Sequence, residues 1–184
     1  MITINILFLI SMVAGTNCDL PYPMDTTANI VYGVLSDAQI QSFINTHNYF
    51  RLTVSGKLLS AMKWWDKLAV SSDNWASKCI WKDSETPNVG ENLYATTVRN
   101  NSINFDPTTA VNSWGSENVY YDHNRYGRNK CETGKVCDHY AQIIWDHTSY
   151  VGCGFRDCPI IQGLSWPNGG TIVVCHYYLK DGWY

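Results

Sequence analysis

In CDHYAQIIWDHTSYVGCG, residues 137–154, the apolar spacing changes part-way along. Tyr140, Ile143, Ile144 and His147 fall at i, i+3, i+4 and i+7, which predicts one inward face of a short helix. Val151, Cys153 and Phe155 then alternate with Gly152 and Gly154, which predicts a buried strand directly after it. His139 stands at the helix start. From this stretch alone a hydrogen-bonded core histidine is the plainer assignment, and an imidazole turned into a cavity is the functional one.

The chain has 184 residues, 45% of them apolar and 16% charged, with a formal net charge of -3. That composition describes a globular protein with enough length for a real core. No run of like charge marks a nucleic-acid or polybasic membrane surface. Residues 1–18, beginning MITINILFLISMVAG, predict a signal peptide with cleavage after Gly15 or Cys18, although no Lys or Arg precedes the apolar run. Of seven cysteines, Cys79, Cys131, Cys137, Cys153, Cys158 and Cys175 lie in the body of the chain. An even number behind an export signal predicts three disulfides in an oxidising compartment. Zinc held by cysteine is disfavoured because no CxxC pair occurs.

Residues 19–35 carry two prolines and no sustained period, and read as a leader. Ser36 and Gln39 form a capping box that opens a helix with Ile40, Phe43, Ile44 and His47 inward. A second helix is expected from Asp66 as N-cap, with Leu68, Ala69, Ser72, Ala76 and Cys79 inward. Glu91 follows a glycine in the otherwise apolar stretch 89–95, and a carboxylate there needs a partner. Asn100 begins an NNS glycosylation acceptor. Asp106 and Pro107 open a third helix, whose inner stripe is Ala110, Val111, Trp114 and Asn118 with Glu117 beside it. Residues 119–137 form a long loop with three tyrosines expected at the surface. TIVVCHYYL, residues 171–179, has the composition of a central strand.

These pieces resemble the CAP superfamily of cysteine-rich secretory proteins, insect antigen 5, plant pathogenesis-related 1 and helminth venom allergen-like proteins, the last most of all. DHYAQIIW (138–145) is similar to that family's usual GHYTQVVW, and IVVCHYY (172–178) to its VVCNY. HNYFR (47–51), MKWWDKLA (62–69), GENLYA (90–95) and the Trp114–Glu117 spacing match too, over about residues 36–180. The resemblance implies an α+β fold, a three-layer α-β-α sandwich around a central antiparallel sheet, in a single domain over 36–184. It also implies the pairs Cys79–Cys158, Cys131–Cys137 and Cys153–Cys175. The residues themselves leave Cys79–Cys153 with Cys158–Cys175 open.

The resemblance further implies a cleft formed by Asp83, Glu91, Glu117 and His139. Asp83 departs from the pattern, because CIWKDS (79–84) puts it where the family has a histidine. His139 is then expected as the cleft's only imidazole, so the four residues should hold a divalent cation weakly at best. No cofactor is required. Relatives bind lipids, which implies a secreted, extracellular, non-enzymatic protein that takes a sterol or fatty acid. The implied sterol loop is Val119, Tyr120, Tyr121 and Tyr126, with Val119 where the leading aromatic would stand. The alternatives are a ligand for a host or tissue protein with no lipid role, and a hydrolase using His139 and Glu117. No serine, cysteine or threonine sits in a nucleophile motif.

Overall fold

The computed structural model describes residues 35–54, 56–99, 105–124 and 131–179. The expected signal segment, the leader up to residue 34, the Asn100 acceptor and Tyr126 lie outside the described residues.

Among the described residues the elements follow in the order α1 (Asp37–Leu52), β1 (Lys63–Trp64), α2 (Asp66–Ala76), β2 (Val89–Thr96), α3 (Pro107–Gly115), α4 (Asp138–Ile143), β3 (Thr148–Cys158) and β4 (Gly170–Leu179). The sheet order is β1-β3-β4-β2. β4 pairs antiparallel with β2 and β3, the central antiparallel sheet expected, and the two-residue β1 at the edge runs parallel to β3. One sheet face carries Val151, Cys153, Phe155, Val173, Cys175 and Tyr177 into a core shared with Phe43, Val111, Trp114 and Ile143. The other carries Ile172, Val174 and Leu93 against Ala76 of α2. The result is an α-β-α sandwich with α2 on one side and α1, α3 and α4 on the other.

α2 packs tightly because β3 has glycines where it crosses. A Cβ on Gly152 would run into the backbone nitrogen of Ala69, and one on Gly154 into the backbone of Asp73. Ser72 uses the close approach: its hydroxyl donates to the Gly152 carbonyl at 2.7 Å and accepts the His176 amide at 3.0 Å. Cys79–Cys158, Cys131–Cys137 and Cys153–Cys175 are disulfides, with Cα separations of 5.8, 5.7 and 4.1 Å. Cys79 lies beyond α2 at φ 53°, so it does not extend the inner stripe of that helix. Asp66 is the first helical residue and not the cap; Trp65 occupies the cap position without a side-chain bond.

The capping box of α1 is present, with the Ser36 side chain accepting from the Gln39 amide and the Gln39 side chain accepting from that of Ser36. Phe43 and His47 are buried, and so is Arg51. His147 is exposed in the turn between α4 and β3, so it does not belong to the inward face of α4. His47 ends a polar chain through the core. Its Nδ1–H donates to the Phe43 carbonyl at 2.8 Å, which leaves Nε2 to accept the Tyr177 hydroxyl at 2.9 Å. That hydroxyl accepts from Asn92 Nδ2 at 3.1 Å, and the same Asn92 nitrogen donates to the His139 carbonyl at 3.1 Å.

Burial lowers the pKa of His47 from 6.5 to about 4, with the Phe43 carbonyl opposing and the Arg51 charge adding. Below pH 6.5 the unfolded chain takes a proton that the folded chain refuses until about pH 4, so folding weakens as the solution is acidified. Chemical denaturation should show a loss of about 2 kcal/mol between pH 6.5 and about pH 5, flattened in His47→Gln. An unchanged pH slope in that variant contradicts the assignment.

Candidate functional site

Two acid–imidazole pairs lie near the β2 edge of the sheet. In the first, Glu117 comes from a 3-10 turn, Ser116–Tyr120, that continues α3, and His139 from the first turn of α4. His139 Nδ1–H donates to Glu117 Oε1 at 2.7 Å, and the Tyr140 amide donates to Glu117 Oε2 at 3.2 Å. Trp114 stacks on the His139 ring at 6.3 Å between centroids. The carboxylate fixes the proton on Nδ1, so Nε2 presents its lone pair from a side chain 33% exposed. His139 is therefore a half-exposed cleft residue and not a core histidine.

The second pair joins residues directly opposite each other in the β2–β4 register, Glu91 and His176. Glu91 Oε2 lies 2.6 Å from His176 Nε2, and its Oε1 accepts the Ser84 amide at 2.8 Å. Ser84 Oγ lies 3.3 Å from the same ring nitrogen, and Ser71 Oγ lies 3.0 Å from Nδ1. With Nε2–H given to the carboxylate, the Ser71 hydroxyl donates to Nδ1. Burial pushes the Glu91 carboxyl up, but the bonds from His176 and Ser84 outweigh it and hold the group below the usual carboxylate range.

This pair corrects the expectation that His139 is the cleft's only imidazole. The strand reading of VVCHYY scored His176 for its composition; it takes the cross-strand register to place it on Glu91. Asp83, expected in the cleft, is exposed. Its neighbour Ser84 turns inward to Glu91 and His176, and Asp83 projects away. Alternation along β2 also divides the pairs. Glu91 shares the α2 face with Leu93, while Asn92, which reaches the His139 carbonyl, points to the other. Asp83, Glu91, Glu117 and His139 thus do not converge. Among the described residues no three His, Cys, Asp or Glu side chains gather as a metal would require. The residues do not fit a tight metal site.

The expected sterol loop divides as well. Tyr121 is partly buried, 5.4 Å from the Tyr140 ring and against the core. Val119 and Tyr120 face solvent, 73% and 37% exposed. The expectation of surface tyrosines therefore holds for Tyr120 and fails for Tyr121, whose ring anchors the loop to α4. Next to them is an open cavity of about 500 Å³ lined by Val119, Tyr120, Tyr121, Asp122, Glu132 and Thr133.

Residues 44–177 match the family model described as the cysteine-rich secretory protein family, CAP. The chain belongs to the CAP family. Among curated relatives, peptidase inhibitor 16 of Mus musculus is 32% identical over 146 residues, 78% of this chain and 28% of that protein. Protein lon-1 of Caenorhabditis elegans is 36% identical over 134 residues, 71% of this chain and 39% of that protein. This CAP chain spans about a third of the length of those relatives. Of solved structures, venom allergen-like protein 4 of Schistosoma mansoni aligns with a TM-score of 0.57 at 22% identity, covering 80% of this chain and 92% of that one. Hookworm platelet inhibitor aligns at 0.54 and 24%, covering 81% and 75%. Both share the CAP fold.

Chemically, His139 Nε2 can accept a proton or a ligand's hydrogen bond. No serine, threonine or cysteine side chain is hydrogen-bonded to it among the described residues. Zinc titrated calorimetrically at neutral pH should show no submicromolar site. Asp83→His alone should change this little, because Glu91 is already held by His176. A submicromolar site in the unmutated protein contradicts this reading.

Proposed function

We propose that this CAP protein is secreted and non-enzymatic, and that it binds a lipid, a sterol or a fatty acid, beside the loop that follows α3. The observation that carries the reading is the exposed Val119 and Tyr120 at the rim of the open cavity. Large apolar side chains left in water next to a concavity are what a ligand's hydrocarbon covers. Three disulfides are consistent with an oxidising compartment, and with the segment 1–18 as an export signal. No helix among the described residues is long and apolar enough to cross a membrane.

The polar pairs argue for structure over turnover. Glu91–His176 is enclosed, with the imidazole side chain fully buried. His139–Glu117 reaches solvent without a nucleophile attached to it. A hydrolase working through a covalent intermediate would need one within hydrogen-bond reach.

Tritiated cholesterol binding tests the proposal. Tyr120→Ala should weaken binding by roughly fivefold or more without lowering the melting temperature, because the ring is rim and not core. Val119→Tyr should tighten it, supplying the aromatic that the resemblance expects there. Tyr121→Ala should lower stability, because that ring packs on Tyr140. Parent-like cholesterol binding by Tyr120→Ala would remove the loop from the site.

A further inference from the structure

The cavity beside Val119 is not a purely apolar slot, and its polar groups point to a particular lipid head. Asp122 and Glu132 lie on its wall beside the Tyr120 and Tyr121 rings, with the Thr133 side. Asp122 spends one oxygen on the Asn124 amide at 2.9 Å. Among the described residues the Glu132 carboxylate has no hydrogen bond or ion pair, and its backbone amide is tied to the Tyr120 carbonyl at 2.9 Å. An ammonium already rests on one of these rings: Lys135 Nζ lies 4.9 Å from the Tyr120 centroid. Among the described residues the wall thus offers hydrogen-bond acceptors and aromatic faces, and two negative charges against the one positive charge of Lys135.

We infer that this cavity selects amphiphiles whose head is an ammonium, placing it between Asp122, Glu132 and the tyrosine rings with the tail along Val119, and that it disfavours lipid carboxylates. The inference rests on the lipid-binding reading above and narrows it. An ammonium donates to both carboxylates and gains from the ring faces. A hydroxyl head donates one bond and carries no charge. A carboxylate head meets like charge and finds few donors, so a fatty acid is the poorest fit.

The test holds the tail constant. Dodecylamine, dodecanol and dodecanoate are titrated at pH 7, below their micelle concentrations, into the full protein and into an Asp122→Asn, Glu132→Gln variant. Both side chains are exposed, so the variant should keep its melting temperature. The amine should bind the parent roughly tenfold more tightly than the carboxylate, with the alcohol between, and the variant should lose that ranking. Equal binding of all three overturns the head-group inference and leaves the lipid reading intact. A preference for dodecanoate, or a ranking unchanged in the variant, also overturns it. No binding of any of the three to the parent overturns the lipid reading itself.

Discussion

The guanidinium of Arg51 sits at the junction of the fold, 1% exposed, where burial lowers its pKa and the Asp146 charge opposes that. Its Nε donates to the Ser60 carbonyl at 2.9 Å, and one terminal nitrogen donates to Ile143 and Trp145 at 2.9 and 2.7 Å. The other reaches Thr148 at 3.2 Å. One side chain at the end of α1 thereby closes the segment before β1, the C-terminal end of α4 and the first residue of β3. The Trp145 carbonyl also accepts the Thr148 amide at 3.2 Å, and leaving a buried carbonyl dry would cost about 1–3 kcal/mol. A cation at a helix C-terminus is also favoured by the backbone dipoles, and here it serves the helix that carries His139.

α4 is therefore held from both ends. Arg51 fixes its last turn, and the line from His47 through Tyr177 and Asn92 fixes the His139 carbonyl in its first. The exposed face of His139 is a rigid feature resting on a polar framework that crosses the core. Glu91 and His176 form a second fixed point, which ties the turn at Ser84 to the sheet. The loop around Val119 and Tyr120 is different: the Tyr121 ring and the Cys131–Cys137 disulfide anchor it, and its outer side chains are exposed, with Lys135 Nζ 4.9 Å from the Tyr120 ring.

How much of this is legible in the sequence varies with the range of the interaction. The Ser36–Gln39 box and the Asp106–Pro107 start are local chemistry and appear where expected. Gly152 and Gly154 read correctly as part of a strand, but the reason for them, the backbone of α2 against β3, is a long-range contact. Arg51 at the end of an amphipathic helix looks like an ordinary surface cation, since the carbonyls it serves are up to 97 residues away. His176 was hidden by register. Only pairing β2 with β4 shows that the imidazole missing at position 83 has a counterpart on Glu91. Asp83 misled for the same reason, because a motif fixes a position in the chain and not the direction of its side chain.

The central claim is that ligand recognition belongs to the rim of the post-α3 cavity and not to the two acid–imidazole pairs. The most direct measurement is amide and side-chain NMR of the isotopically labelled protein titrated with a soluble sterol. The account predicts shift changes at Val119, Tyr120, Asp122, Glu132 and Thr133, with the His139 and His176 ring signals unmoved. Changes centred on His139 and Glu117, with the Val119–Tyr120 signals silent, would contradict it.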